Sequence, residues 1–336
     1  MVAPMLPLLL LACTAGGDPK DTADTSDTAD SAVDTADSMD TMDSADTGDT
    51  HDSADTGDSG VSGMKLTEVV SGLGFVVDAV PSPDGSVAWL LGRGDAGVGV
   101  YRADGAGGAE LVSGGWGVVL ALTISTDGNT AYVVGRHDKG HTPRVYAVPL
   151  DGTGEPAPLV DLDPYAVNAL TLNRIGSADR LTVAGVDPET YESTIYTVAA
   201  GGGSVAVVGA GFEVLDLGGV ARFDGETTWV TAADAMRMGS LYQVEEGSDL
   251  GKPVALSLSF GAPAGIAATR DESTVLMSAE SELYLYDVSS GVLDVLDVAL
   301  PPGAHPGGLH RAHEVDRFAI AASGADGGAV FFLDWR

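Results

Sequence analysis

Met64-Lys65-Leu66-Thr67-Glu68-Val69-Val70 alternates apolar and polar side chains over its first half and ends on a pair of valines. That is the pattern of a half-buried β-strand. It follows a long acidic tract, and no strand of its own kind stands beside it. A lone strand cannot satisfy its backbone hydrogen bonds, so a partner must come from elsewhere in the chain. The identity of that partner decides the fold.

Downstream of the lone strand the chain repeats itself. Six turns recur: Pro83-Asp84-Gly85-Ser86, Thr126-Asp127-Gly128-Asn129, Arg174-Ile175-Gly176-Ser177, Phe223-Asp224-Gly225-Glu226, Arg270-Asp271-Glu272-Ser273 and His313-Glu314-Val315-Asp316. They are spaced by 43, 48, 49, 47 and 43 residues. Asp-Gly marks a tight hairpin because the turn needs a positive φ, which glycine adopts freely. The third, fifth and sixth copies have lost part of that pair. A second marker, an apolar residue followed by an aromatic one, recurs at Val100-Tyr101, Val145-Tyr146, Ile195-Tyr196, Leu241-Tyr242, Leu285-Tyr286 and Phe331-Phe332, 44 to 50 residues apart. Between turn and marker lies a β-rich run such as Val87–Leu91 or Thr130–Val134. A short apolar strand such as Ala109–Val112, Ala157–Val160, Val205–Val208, Val254–Leu258 or Val292–Val298 follows the marker.

Four strands per unit at this period, with no convincing helical periodicity, give an all-β, six-bladed β-propeller of four-stranded blades over residues 64–336. Aligned on the turns, Asp78, Ala121, Ala169, Gly218, Gly265 and Gly308 share a column near the ends of the inner strands. Small residues suit strands crowded round a narrow axis, and Asp78 is the exception. The sixth unit has three strands, near Gly308–Ala312, Arg317–Ala321 and Ala329–Leu333, and then the sequence stops. Met64–Val70 is therefore expected to complete that last blade against Ala329–Leu333 and so close the ring. The turn Ser82-Pro83-Asp84-Gly85 resembles that of bacterial TolB-like and YVTN-like (WD40-like) propellers, a resemblance that implies architecture and carries no catalytic residue.

Residues 1–12 form an apolar segment ending on a small residue, which reads as a signal peptide. Leu10-Leu11-Ala12-Cys13 resembles the lipobox of bacterial lipoproteins, which implies acylation of Cys13, the only cysteine. The n-region departs from that pattern in having no Lys or Arg. Residues 13–63 form a tether in which thirteen aspartates from Asp21 to Asp58 recur at every third position with one slip, each followed by Ser or Thr. Such a segment has no apolar face to bury. Its 40 central residues can reach roughly 130 Å at full stretch. Besides a plain spacer, the tract could be a glycosylated spacer or a calcium-binding module. The resemblance implies a place in the bacterial cell envelope, as an outer-membrane lipoprotein that is periplasmic or surface-exposed.

The net charge is −33, and residues 1–60 account for fourteen of the 49 acidic residues and one of the 16 Lys and Arg. The remainder still carries 35 acidic against 15 basic residues. A field of that sign repels nucleic acid and anionic lipid, leaving the lipid anchor as the only membrane contact. It favours a protein, a glycan or a cationic small ligand as partner of a monomer. No apolar run after the leader approaches the 18 or more residues of a spanning helix.

In a propeller, the loops from second to third strand and those leading into each inner strand share one rim. Here that rim carries Arg93, Arg136, His137, His141, Asp187 and Asp234, with His305 on a loop leading inward. Arg93 and Arg136 each follow a glycine at equivalent places and could form an anion-binding pair. The same residues would equally describe loops that are polar because they face water. His137 with His141, and His310 with His313, have helical metal spacing but lie on no expected helix. Propeller lactonases of the gluconolactonase type hold a divalent cation with acidic and Asn ligands from inner strands. By similarity, Asp78, Asn168 and Asp216 are the residues near the axis for Ca²⁺ or another divalent cation, although at three different heights. No Gly-x-Ser-x-Gly elbow, Cys-His pair or phosphate loop is present. The sequence thus favours a binding module acting through its rim, with a metal-dependent lactonase-like or lyase-like enzyme as the alternative.

Overall fold

A computed structural model of the chain describes residues 64–335, apart from 138–142, 164–165, 176, 188, 191, 213–215, 223–226, 234–235, 246–247, 250–253, 257–260 and 299. The leader, the tether, Cys13, His141 and Asp234 lie outside the described residues.

The first strand, β1 (Lys65–Leu73), leads into blade 1: β2 (Phe75–Pro81), β3 (Ala88–Gly94), β4 (Gly97–Ala103) and β5 (Glu110–Ser113). Blade 2 is β6 (Val118–Ile124), β7 (Thr130–Arg136), β8 (Arg144–Pro149) and β9 (Ala157–Pro158). Blade 3 is β10 (Ala166–Ile175), β11 (Ala178–Val186), β12 (Ser193–Ala199) and β13 (Ala206–Phe212). In blade 4, β14 (Asp216–Arg222), β15 (Thr227–Ala233) and β16 (Gly239–Glu245) are followed by two short strands, β17 (Ser248–Asp249) and β18 (Ala255–Leu256). β18 completes blade 4, while β17 pairs in parallel with β13 of blade 3. Blade 5 is β19 (Pro263–Ala268), β20 (Thr274–Ala279), β21 (Glu282–Asp287) and β22 (Val292–Val295), and blade 6 holds β23 (His305–Arg311), β24 (Arg317–Gly324) and β25 (Gly327–Asp334). Each inner strand touches the next, and β23 touches β2, so the six blades form a closed ring.

The closing strand is the one expected from the sequence. β1 pairs antiparallel with β25, from Lys65 opposite Asp334 to Leu73 opposite Gly328. Val69, Val70 and Leu73 are buried against Val76, Leu90, Ala319 and Val330 in the seam between blades 6 and 1. Other seams follow the same logic. Along β3, Ala88 and Leu90 face blade 6, while Trp89 and Leu91 face blade 2. Both faces of a blade are covered, so the second strands read as unbroken apolar runs rather than alternating ones. The six apolar-aromatic markers all fall on third strands.

The turns owe their shape to more than Asp-Gly. In blade 1, Ser82 N–H donates to Val87 and Gly85 N–H returns to the Ser82 carbonyl, at 2.7 and 2.8 Å. Ser82 Oγ–H donates to Asp84, whose Oδ1 also accepts the Ser86 N–H. Blade 2 repeats this with Ser125, Asp127 and Asn129, and blade 5 with Thr269, Asp271 and Ser273. The left-handed position is filled by Gly85 and Gly128, with φ of 73° and 72°, and in blade 5 by Glu272 at 54°. Blade 5 therefore keeps the turn although it has lost the glycine. Among the described residues the only helical element is a single 3-10 turn at Val160–Leu162, which shortens the expected strand Ala157–Val160 to two residues.

A candidate binding site along the propeller axis

Every inner strand slips register at the same height. The irregularities fall between Val76 and Asp78, Val119 and Ala121, Val167 and Ala169, Leu217 and Gly219, Pro263 and Gly265, and Pro306 and Leu309. A bulge adds an unpaired residue and bends the strand. The extra residues Val77, Leu120, Asn168, Ala264 and Gly307 line an axial cavity of about 280 Å³ on the rim side. The bulge also corrects the small-residue column: opposite Thr231 stands Gly219, not Gly218.

Asp78 is the one charged residue of that column, and it is buried at 3% exposure. Its Oδ1 accepts the N–H of Ala79 at 2.9 Å, and its Oδ2 accepts the N–H of Leu122 in blade 2 at 2.7 Å. His310 of blade 6 brings Nε2 to 3.1 Å from Oδ1 and 3.2 Å from Oδ2. A carboxylate only accepts, so this nitrogen carries the proton. Gly308 belongs to the same arrangement, because a Cβ built on it would overlap Asp78 Oδ1. One carboxylate thus ties three blades together at the waist of the ring.

Of the other axial candidates, Asn168 is exposed to the same cavity as Asp78. Asp216 heads β14 opposite Ala233, three residues before Gly219, and its side chain lies outside the described residues. A divalent cation does not fit Asp78 as it stands. Two backbone amides and an imidazole occupy its oxygens, whereas a Ca²⁺ shell needs six to eight oxygen ligands. Among the described residues, no three His, Cys, Asp or Glu side chains come together as a metal-binding group.

At the rim, Arg93 and Arg136 occupy matching register positions, opposite Phe75 and Val118. Each lends its carbonyl to the glycine leading into the inner strand, Gly74 N–H at 2.7 Å and Gly117 N–H at 2.8 Å. Neither guanidinium makes a hydrogen bond or ion pair among the described residues, and Arg93 is exposed. His137 is half-buried, with its ring edge-on to Trp116 at 4.9 Å between centroids and its Nε2 3.1 Å from the Gly114 carbonyl. Asp187 is spent on its own loop. The N–H groups of Thr190 and Glu189 and the Tyr196 hydroxyl hold its carboxyl below the usual range. His305 is the first residue of β23, opposite Ser323, rather than part of a loop, and it is exposed.

The opposite end of the axis carries two arginines that the sequence did not single out, beside His310 and His313, which stood out there only for their metal-like spacing. There the inner strands run into a narrow funnel of about 60 Å³, whose lining includes Arg174, His310, Arg311 and His313. The sequence does hold a signal for this: the inner strands of blades 3 and 6 carry Asn173-Arg174 and His310-Arg311 at or next to their turn ends.

No protein-family model matches this chain, and no curated protein matches it. Among solved structures, it is similar to a gluconolactonase from Xanthomonas campestris, with a TM-score of 0.57 and 14% identity over 81% of this chain and 89% of that one. It is also similar to a chain of the nidogen/laminin complex, at TM-score 0.52 and 11% identity over 74% and 98% of the two chains. A putative TolB from Agrobacterium tumefaciens gives 0.49 and 15% over 78% and 90%. At these identities the likeness is one of fold: this chain is built as a six-bladed β-propeller.

Proposed function

We propose that this chain is a tethered binding module. In this reading an acylated Cys13 anchors it to a bacterial envelope, the Asp-Ser/Thr tract spaces it from the membrane, and the rim engages a protein partner. The observation that supports it is the pair Arg93 and Arg136: two guanidiniums at equivalent positions of adjacent blades, without a hydrogen-bond or ion-pair partner among the described residues. Arginine is favoured at binding hot spots because its planar fork pairs with a carboxylate in two-point fashion. The nidogen/laminin propeller is a use of a like fold within a protein complex, although that likeness is of fold alone.

The test has two arms. Crosslinking in cells should give partner adducts with the wild-type chain that vanish in Arg93→Glu/Arg136→Glu, and an unchanged adduct pattern would remove the rim from the reading. Cys13→Ser should shift the protein from the membrane to the soluble fraction, and unchanged fractionation would remove the anchor.

A lactonase-like hydrolase is the second reading, supported by Asp78 and Asn168 sharing one axial cavity. It requires Asp78 to let go of Leu122 or His310. Gluconolactone hydrolysis by the purified chain, abolished in Asn168→Ala, would favour it over the first.

A further inference from the structure

The turn-end funnel differs in charge from the rest of the domain. Acidic residues outnumber basic ones 35 to 15 beyond residue 60. Yet the funnel lining contains two arginines, Arg174 and Arg311, and no Asp or Glu among the described residues, and its His310 is turned to Asp78 behind the wall. The acids of this face sit in the turns around it, already engaged. Asp84, Asp127 and Asp271 accept hydroxyls and N–H groups of their own turns. Asp179 accepts both the N–H and the hydroxyl of Thr126, at 3.0 and 2.7 Å. Asp316 accepts the Arg270 N–H and lies 3.8 Å from Arg311 Nε.

The two arginines play different parts. The Arg311 side chain is only 7% exposed, and its Nε and Nη1 donate to the carbonyls of Ala268 and Ala312, so its charge is fixed in the wall. Arg174, at the end of β10, is exposed and makes no hydrogen bond or ion pair among the described residues. Apolar walls from Val80, Ile124 and Ile266 lower the local dielectric and strengthen the field of both charges.

We propose that this funnel binds a small oxyanion, a carboxylate or a phosphate, with Arg174 as the pairing fork and Arg311 as the fixed positive charge behind it. The site lies at the opposite end of the axis from the rim and is independent of what the rim binds. The two anion types share the geometry that a guanidinium recognises. Calorimetric titration of the full chain at low ionic strength, with inorganic phosphate in one series and succinate in another, tests this and separates the two. Saturable binding of at least one is expected, weakened at least tenfold in Arg174→Gln with thermal unfolding unchanged. The rim variant Arg93→Gln/Arg136→Gln should bind as the wild type does. No saturable binding of either anion, binding retained in Arg174→Gln, or an equal loss in the rim variant would each overturn the proposal.

Discussion

The carboxylate of Asp78 accepts the backbone N–H of Leu122 at 2.7 Å, joining inner strands whose residues are 44 positions apart. With His310 it also reaches across the seam where the last blade meets the first. Asp78→Ala would leave the amides of Ala79 and Leu122 and the His310 imidazole buried without their acceptor. Each buried donor left without its acceptor costs about 1–3 kcal/mol. Chemical denaturation should show a loss of that order, and a loss below about 1 kcal/mol would mean the carboxylate is not a strut.

Gly308 and Asp78 compete for the same space, so their substitutions should not add. Gly308→Ala alone forces its methyl into Asp78 Oδ1 and should destabilise by about 1–3 kcal/mol as an overpacking change. In an Asp78→Ala background that clash disappears, so Gly308→Ala should cost much less there. A double-mutant cycle measures the coupling, and additive effects would contradict it.

The closure of the ring rests on β1. Val69, Val70 and Leu73 are buried, and each buried side chain of this size contributes about 1.5–3 kcal/mol. Removing residues 64–73 also strips β25 of its hydrogen-bonding neighbour and leaves an exposed sheet edge. That variant should unfold or aggregate. A chain lacking residues 14–60 should melt within a degree or two of the full-length protein, as calorimetry would read.

The turn aspartates make the fold acid-sensitive in a defined window. Hydrogen bonds from Ser82 and Ser86 lower Asp84 to about 2, and Asp127 and Asp271 are lowered by equivalent bonds. A carboxylate with a lower folded than unfolded pKa adds stability that is full above its ordinary value near 4 and fades as pH falls toward the folded value. The wild type should therefore lose stability between about pH 4 and pH 2. The triple variant Ser82→Ala/Ser125→Ala/Thr269→Ala should be less stable at pH 7 and show a smaller loss across that window. Equal slopes would mean that these turns are not the source of the acid sensitivity.

The blades were legible because their markers are properties of single residues. Asp-Gly turns and buried aromatics on third strands are local requirements that survive divergence, and the missing strand of blade 6 could be counted. The axis was less legible because its defining feature is a bulge, which belongs to backbone pairing and has no residue signature: Val77, Leu120 and Asn168 share nothing but their place. The offset from Gly218 to Gly219 follows from aligning on turns when the inner strand of blade 4 differs in length by one residue. Asp78 looked like an anomaly among small residues, and only the space beside Gly308 explains it. The Ser or Thr two residues before the turn aspartates of blades 1, 2 and 5 was in plain sight. Its importance emerges from hydroxyls that bond in both directions, as when Ser82 Oγ donates to Asp84 and accepts the Val87 N–H.

The direction of β1 has a mechanical consequence. It enters at Lys65 beside Asp334, at the turn end of blade 6, and runs toward the rim at Leu73. A pull applied at Lys65 against anything held at the rim acts along the strand, so the β1–β25 rungs resist together in shear. The same pull directed across the blade would unzip them one by one, starting from Lys65 and Asp334. The closing pair of strands is therefore strongest against tension along β1 itself.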